Sequence, residues 1–156
     1  MRSVSISGTL SKGIFERDDD VDYFVVTAPG RLWLCRLGLM VFKKLFLFNS
    51  RKLFCINYFM AADRLVVPDH DLYTAMEIAW LDPVVDEGLC RNLVDANPWV
   101  AKFLPNWDPR FATSEAPPRR WVAEVCEWAL AGAPGSWLDE RTRRVFTWRN
   151  RRRHRN

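Results

Sequence analysis

The chain has no CxxC pair and no cysteine spaced with a histidine as zinc ligands are; Cys35, Cys55, Cys90 and Cys126 stand far apart in apolar surroundings. That excludes a zinc ribbon or finger, and reduced, buried thiols are expected in place of a disulfide framework. No secretory pattern precedes the first apolar stretch, so a cytoplasmic location is expected. Long hydrophobic runs are missing too. The most apolar segment, Leu32 to Phe48, is broken by Arg36, Lys43 and Lys44, whereas a spanning helix needs roughly 20 apolar residues to cross about 30 Å of hydrocarbon. This segment is expected to be a crossover helix packed on a sheet, with an amphipathic helix lying on a membrane surface as the alternative. No internal repeat is visible.

What is present suits one domain of 156 residues, or a small domain with a helical extension, because 49% of the chain is apolar. Tryptophan is abundant, and Trp80, Trp99, Trp107, Trp121, Trp128 and Trp137 are expected to pack a helical half. The net charge of +4 is a property of the C-terminus, where residues 141–155 hold eight arginines. A solvated helix end is the expected reading of this tail, since no base-reading module accompanies it. Contact with nucleic acid or with anionic membrane stays open as an alternative.

Apolar patterning and punctuation predict strands over Val4–Ser7, Val21–Thr27 and Lys52–Met60, with a short fourth over Leu65–Val67. The near-continuous apolar character of Val21–Thr27 predicts a central strand covered on both faces. Helices are expected over Arg31–Phe48, Leu72–Leu81 behind an Asp69-His70-Asp71 cap, Val84–Ala96 after Pro83, Arg120–Ala131 and Ser136–Arg152, with a helical turn at Trp99–Leu104. Residues 105–120 carry four prolines and read as a linker. The expected fold class is α+β: a small mixed sheet flanked by helices over residues 1–68, a helical extension over 69–104, the linker, and C-terminal helices over 121–156.

One constellation carries chemistry. Gly8-Thr9-Leu10-Ser11-Lys12-Gly13 is a glycine-flanked hydroxyl turn, followed by Asp20-Val21-Asp22. Side chains at i and i+2 of a strand point the same way, so Asp20 and Asp22 are expected to face one site. Two carboxylates facing one site repel unless a cation sits between them, and Mg²⁺ suits oxygen ligands offered in small number. A glycine turn offers backbone N–H groups and a hydroxyl to phosphate oxygens. Together these features point to nucleotide chemistry.

At these residues the chain resembles the DNA polymerase beta-like nucleotidyltransferase superfamily, in particular its small bacterial members. Their signature is a strand ending in Gly-Ser, a short helix, a polar loop, and Asp-x-Asp on the next strand. Here Thr9 stands for the usual Ser, and Asp19-Asp20-Val21-Asp22 follows at similar spacing; the resemblance covers residues 4 to about 67. It implies transfer of a nucleoside monophosphate from an NTP to an acceptor that the sequence does not name. Asp20 and Asp22 would hold Mg²⁺, and Gly8, Thr9 and Lys12 would seat the phosphates, with Arg17 as a further cation. The family places a third carboxylate on the strand after the long helix. In this chain the polar residue of that strand is Asn57, with Asp63 just beyond it. A catalytically degraded nucleotide-binding or interaction module of the same fold, with a protein partner, is the alternative.

Overall fold

A computed structural model describes residues 1–14, 16–50, 52–108, 128, 130 and 132–153. Strand β1 (Ser3–Ser7) ends at Gly8, whose φ of +70° turns the chain directly into the short helix α1 (Gly8–Ser11). Strand β2 (Asp22–Thr27) returns antiparallel to β1, with Ser7 opposite Asp22 and Ser3 opposite Val26. Helix α2 (Leu32–Phe46) then crosses over to β3 (Cys55–Ala61), which lies parallel to β2. Parallel neighbours cannot be joined by a tight hairpin, and the crossover helix meets that requirement. Helix α3 (Leu72–Ala79) leads to β4 (Asp82–Asp86), antiparallel to the free side of β1. The sheet order is β3-β2-β1-β4. Helices α4 (Leu89–Asp95), α5 (Val100–Phe103) and α6 (Gly132–Arg153) complete the described chain. The α+β class with a mixed sheet is as expected from the sequence.

The fourth strand is not the one expected. Leu65–Val67 is irregular, and the strand is Asp82–Asp86, which overlaps the start of the region read as the helix Val84–Ala96. Pro83 lacks an N–H donor and so breaks a helix, but it is compatible with an edge strand, which is where β4 lies. The β-branched pair Val84-Val85 favours the same outcome. Residues 69–104 therefore contribute a strand to the sheet as well as helices.

They also share its core. Phe24 and Val26 of β2 pack with Ala75 and Ile78 of α3, Leu93 of α4 and Val100 of α5, all buried. Full burial of each large side chain contributes about 1.5–3 kcal/mol relative to exposure. Strand β2 is buried on both faces from Phe24 to Thr27, as a central strand should be. Along β1 the residues facing this core are Ser3, Ser5 and Ser7, all buried. Their small side chains admit Cys90 of α4, whose Sγ lies 3.3 Å from the Ser5 hydroxyl and 3.8 Å from that of Ser3. Asn97 ties the helical layer together. Its Oδ1 accepts from the Val67 N–H at 2.8 Å and from Trp99 Nε1 at 3.1 Å, while Nδ2 donates to the Leu65 and Leu93 carbonyls, each at 2.7 Å.

Helix α2 runs along β3 beside Ile56 and Phe59, whose register partners Tyr23 and Val25 alternate with the core-facing Phe24. Lys43 Nζ donates to the Phe54 carbonyl at 2.6 Å. Helix α6 packs on α2: Asp139 accepts from the Leu34 N–H at 2.8 Å, and the Trp33 and Phe146 rings lie 5.8 Å apart. It begins at Gly132, ahead of the expected start at Ser136. Of the expected tryptophan packing, Trp99 is buried and Trp107 donates Nε1 to the Ala79 carbonyl, whereas Trp128 and Trp137 are exposed. The linker beyond Asp108, Trp121, Cys126 and nearly all of the expected helix Arg120–Ala131 lie outside the described residues, as do His154 and Arg155.

Candidate functional site

Asp22 is the first residue of β2, paired with Ser7 on one side and Cys55 on the other, so its side chain sits where three strands meet. The segment ahead of it is pinned to the start of β3: the Val21 N–H donates to the Lys52 carbonyl and the Cys55 N–H to the Val21 carbonyl, both at 3.0 Å. Gly8 packs directly on Asp22. A Cβ at position 8 would lie 2.5 Å from Asp22 Oδ2, closer than any such contact allows, and the φ of +70° disfavours a side chain independently. Glycine at this position thus satisfies both the turn and the close approach of a carboxylate.

The Asp22 carboxyl is held above the ordinary aspartate range. Burial is the largest cause; the Cys55 thiol, donating to it, opposes this, and the negative charges of Glu77 and Asp20 add to the rise while Lys12 offsets part of it. Asp20 is therefore near enough to Asp22 for their charges to interact, although it lies ahead of the strand, which begins at Asp22, and not within it as expected. The Cys55 thiol is in turn raised by its burial and by the Asp22 carboxylate.

Glu77 is the residue that sequence reasoning missed. It lies on the buried face of α3 with Thr74 and Ile78, and its side chain is only 1% exposed. Its Oε1 receives Lys12 Nζ at 2.5 Å, and its Oε2 receives the Gly8 N–H at 3.1 Å and Asn57 Nδ2 at 2.9 Å. A buried carboxylate is tolerated when it is paired and its lone pairs are occupied, and Glu77 meets both conditions. The signal in the sequence was slight: Glu77 is the one charged residue of Leu72–Ala79, three residues after Thr74 on the side that the apolar spacing turns inward.

The sequence-derived candidates sort as follows. Gly8, Lys12, Asp22 and Asn57 converge, with Asp20 at the margin. The N–H of Gly8 and the ammonium of Lys12, expected to be open to phosphate, are engaged by Glu77 in this structure. The Thr9 hydroxyl donates to Asp19, whose carboxyl is lowered by the Glu16 N–H first and by Thr9 second. Arg17 is exposed, with its carbonyl accepting from Lys52 Nζ. Asn57 sits at the irregularity between the Tyr23–Ile56 and Phe24–Tyr58 pairs, on the strand next to Asp22. Asp63 is at the other end of the sheet, beyond Ala61, the partner of Thr27; at about 3.3 Å per strand residue it cannot reach the Asp22 corner. Asp71 caps α3 by accepting from the Thr74 N–H at 2.7 Å, and His70 stacks on Trp99 with ring centroids 4.5 Å apart.

Among the described residues no three His, Cys, Asp or Glu side chains are grouped as metal ligands. The corner offers the pair Asp20 and Asp22. That pair fits Mg²⁺, which takes one or two carboxylates and completes its shell with water and substrate phosphate. Two observations support the fit: a cation would offset the negative charges of Glu77 and Asp20, which add to the rise that burial chiefly causes at Asp22, and the buried Ser7 hydroxyl beside it has no hydrogen-bond partner among the described residues. The chain matches no protein-family model, no curated protein and no solved structure.

Proposed function

We propose that the chain is a Mg²⁺-dependent nucleotidyltransferase that takes an NTP and transfers its nucleoside monophosphate to an acceptor. The observation that carries this reading is the contact of Gly8 with Asp22: a positive-φ glycine turn pressed onto a strand-borne carboxylate, with the charge of Asp20 within electrostatic reach. Asp20 and Asp22 would hold the ion, which when bound neutralises triphosphate charge and stabilises the charge that develops on transfer.

The chain's own residues do the rest. Glu77 gathers an ammonium, a backbone N–H and an amide around one carboxylate. The Lys12 ammonium has three N–H donors, so it can keep Glu77 and still offer one to a phosphate oxygen of an incoming triphosphate. Asn57 cannot accept a proton at neutral pH and acts here as a donor. That supports a second reading, a module of the same fold that binds nucleotide without turnover. Asp22→Ala separates both readings from an ordinary acidic turn. Mg²⁺–NTP affinity is expected to fall at least about tenfold while the circular dichroism spectrum is retained; undiminished affinity in the variant rejects both.

A further inference from the structure

We infer that the outer face of α2, together with the turn that follows it, docks on the headgroup layer of an anionic lipid bilayer. No residue of this helix is buried. Leu37, Val41 and Leu45 recur at i, i+4 and i+8 and are 40%, 47% and 66% exposed, forming one apolar stripe. Phe46 at the end of the helix, and Phe48 and Leu53 after it, are also exposed, at 67%, 93% and 57%. Six large apolar side chains left exposed along one helix and the turn after it mark an interaction site. Phe48 adds backbone strain to exposure: its φ of +48° is rare for an aromatic residue.

The charge pattern selects the occupant. From Arg31 to Ala62 the sequence holds no Asp or Glu, while Arg31, Arg36, Lys43, Lys44, Arg51 and Lys52 are all cationic. Lys44 stands on the stripe itself, exposed, three residues after Val41. Apolar side chains that enter the acyl boundary, with the exposed Lys44 beside them to meet anionic headgroups and no acid in the segment to repel these, are the pattern of an in-plane interfacial helix. A second copy of the chain fits poorly, because a two-fold pairing of this face brings the cations of both copies together and residues 31–62 supply no Asp or Glu to compensate. Spanning is ruled out for α2: among the described residues no helix is long and apolar enough to cross a membrane. The inference rests on α2 and is independent of the chemistry at Asp22.

Flotation of the full chain with lipid vesicles tests it. Binding to phosphatidylcholine vesicles containing about 30% phosphatidylserine is expected to exceed binding to pure phosphatidylcholine by about tenfold and to weaken with added salt. The double variant Leu45→Asp, Phe48→Asp is expected to lose about tenfold in binding with an unchanged circular dichroism spectrum. Lys44→Glu, a single exposed substitution, gives the same direction should the double variant misfold. Absence of vesicle binding overturns the proposal. So does binding that survives these substitutions but is lost on removing residues 149–156, which would assign it to the arginine tail. A dimer in sedimentation that the same substitutions dissolve, without vesicle binding, assigns the face to self-association and overturns it equally.

Discussion

The Lys12 ammonium and the Glu77 carboxylate meet at 2.5 Å in the interior, joining the turn after β1 to a helix 65 residues further along the chain. Lys12 is 14% exposed and Glu77 only 1%, so this is a largely desolvated pair. Such a pair contributes modest net stability compared with an apolar replacement of both partners, but breaking it on one side leaves an uncompensated charge.

Lys12→Met is accordingly expected to destabilise the protein by about 3–5 kcal/mol. The double variant Lys12→Met, Glu77→Leu is expected to recover much of that loss. Urea unfolding of the two variants measures it, and equal destabilisation in both would contradict the pairing.

Asn57→Asp is expected to harm the site, although it restores the carboxylate that the family resemblance lacks. Asn57 Nδ2 donates to Glu77 Oε2 at 2.9 Å, and an aspartate there has no N–H to give and adds a like charge. The expected cost at neutral pH is about 1–3 kcal/mol. The introduced carboxyl would titrate above its unfolded value, so the loss should shrink as pH falls through that raised folded value. Thermal melts from neutral to acidic pH read this directly; a variant as stable as the parent at pH 7 would contradict the geometry.

Gly8→Ala and Gly13→Ala separate strain from collision. Both glycines have positive φ, +70° and +72°, but only at Gly8 does an added Cβ meet a neighbour, Asp22 Oδ2 at 2.5 Å; nothing lies within 4 Å at Gly13. Gly13→Ala should cost about 1 kcal/mol from backbone strain, and Gly8→Ala clearly more, with loss of nucleotide binding. Chemical denaturation beside a binding assay distinguishes them. Equal effects would mean that the approach of Gly8 to Asp22 is unimportant.

Asp22 gives the protein a pH dependence of definite sign. Its folded pKa is raised, chiefly by burial, so the native state holds this proton more tightly than the unfolded chain does. Its contribution to stability is therefore most favourable below the unfolded value near 3.8 and declines as pH rises through the folded value, leaving a cost at neutral pH. Asp22→Asn removes that titration, and its melting temperature at pH 7 should exceed the parent's in the absence of Mg²⁺. A lower melting temperature at pH 7 would show that the ionised carboxylate stabilises the fold instead.

The parts of the fold legible in the sequence are those set by local rules. The turn at Gly8, the buried strand Asp22–Thr27 and the crossover helix followed from glycine conformation, apolar continuity and helical spacing. Asp22 opens the strand expected at Val21–Thr27, whereas Asp20 lies ahead of it. Glu77 was not found, since its partners lie 69, 65 and 20 residues away and a single glutamate in an apolar helix gives no motif. Strand β4 was missed because Pro83 signals only a helix break; that it pairs with β1 depends on a sheet edge far away in sequence. Lys12 shows the same limit. The sequence supplies a cation next to a glycine turn, but which anion occupies it is decided by α3.

Calorimetric titration of the protein with an NTP, with and without Mg²⁺, tests the central claim most directly. The Asp20–Asp22 pair and the Gly8 turn predict binding that strengthens at least about tenfold with Mg²⁺ and loses that gain in Asp22→Ala. NTP affinity that is the same with and without Mg²⁺ would contradict a metal–nucleotide site at this corner.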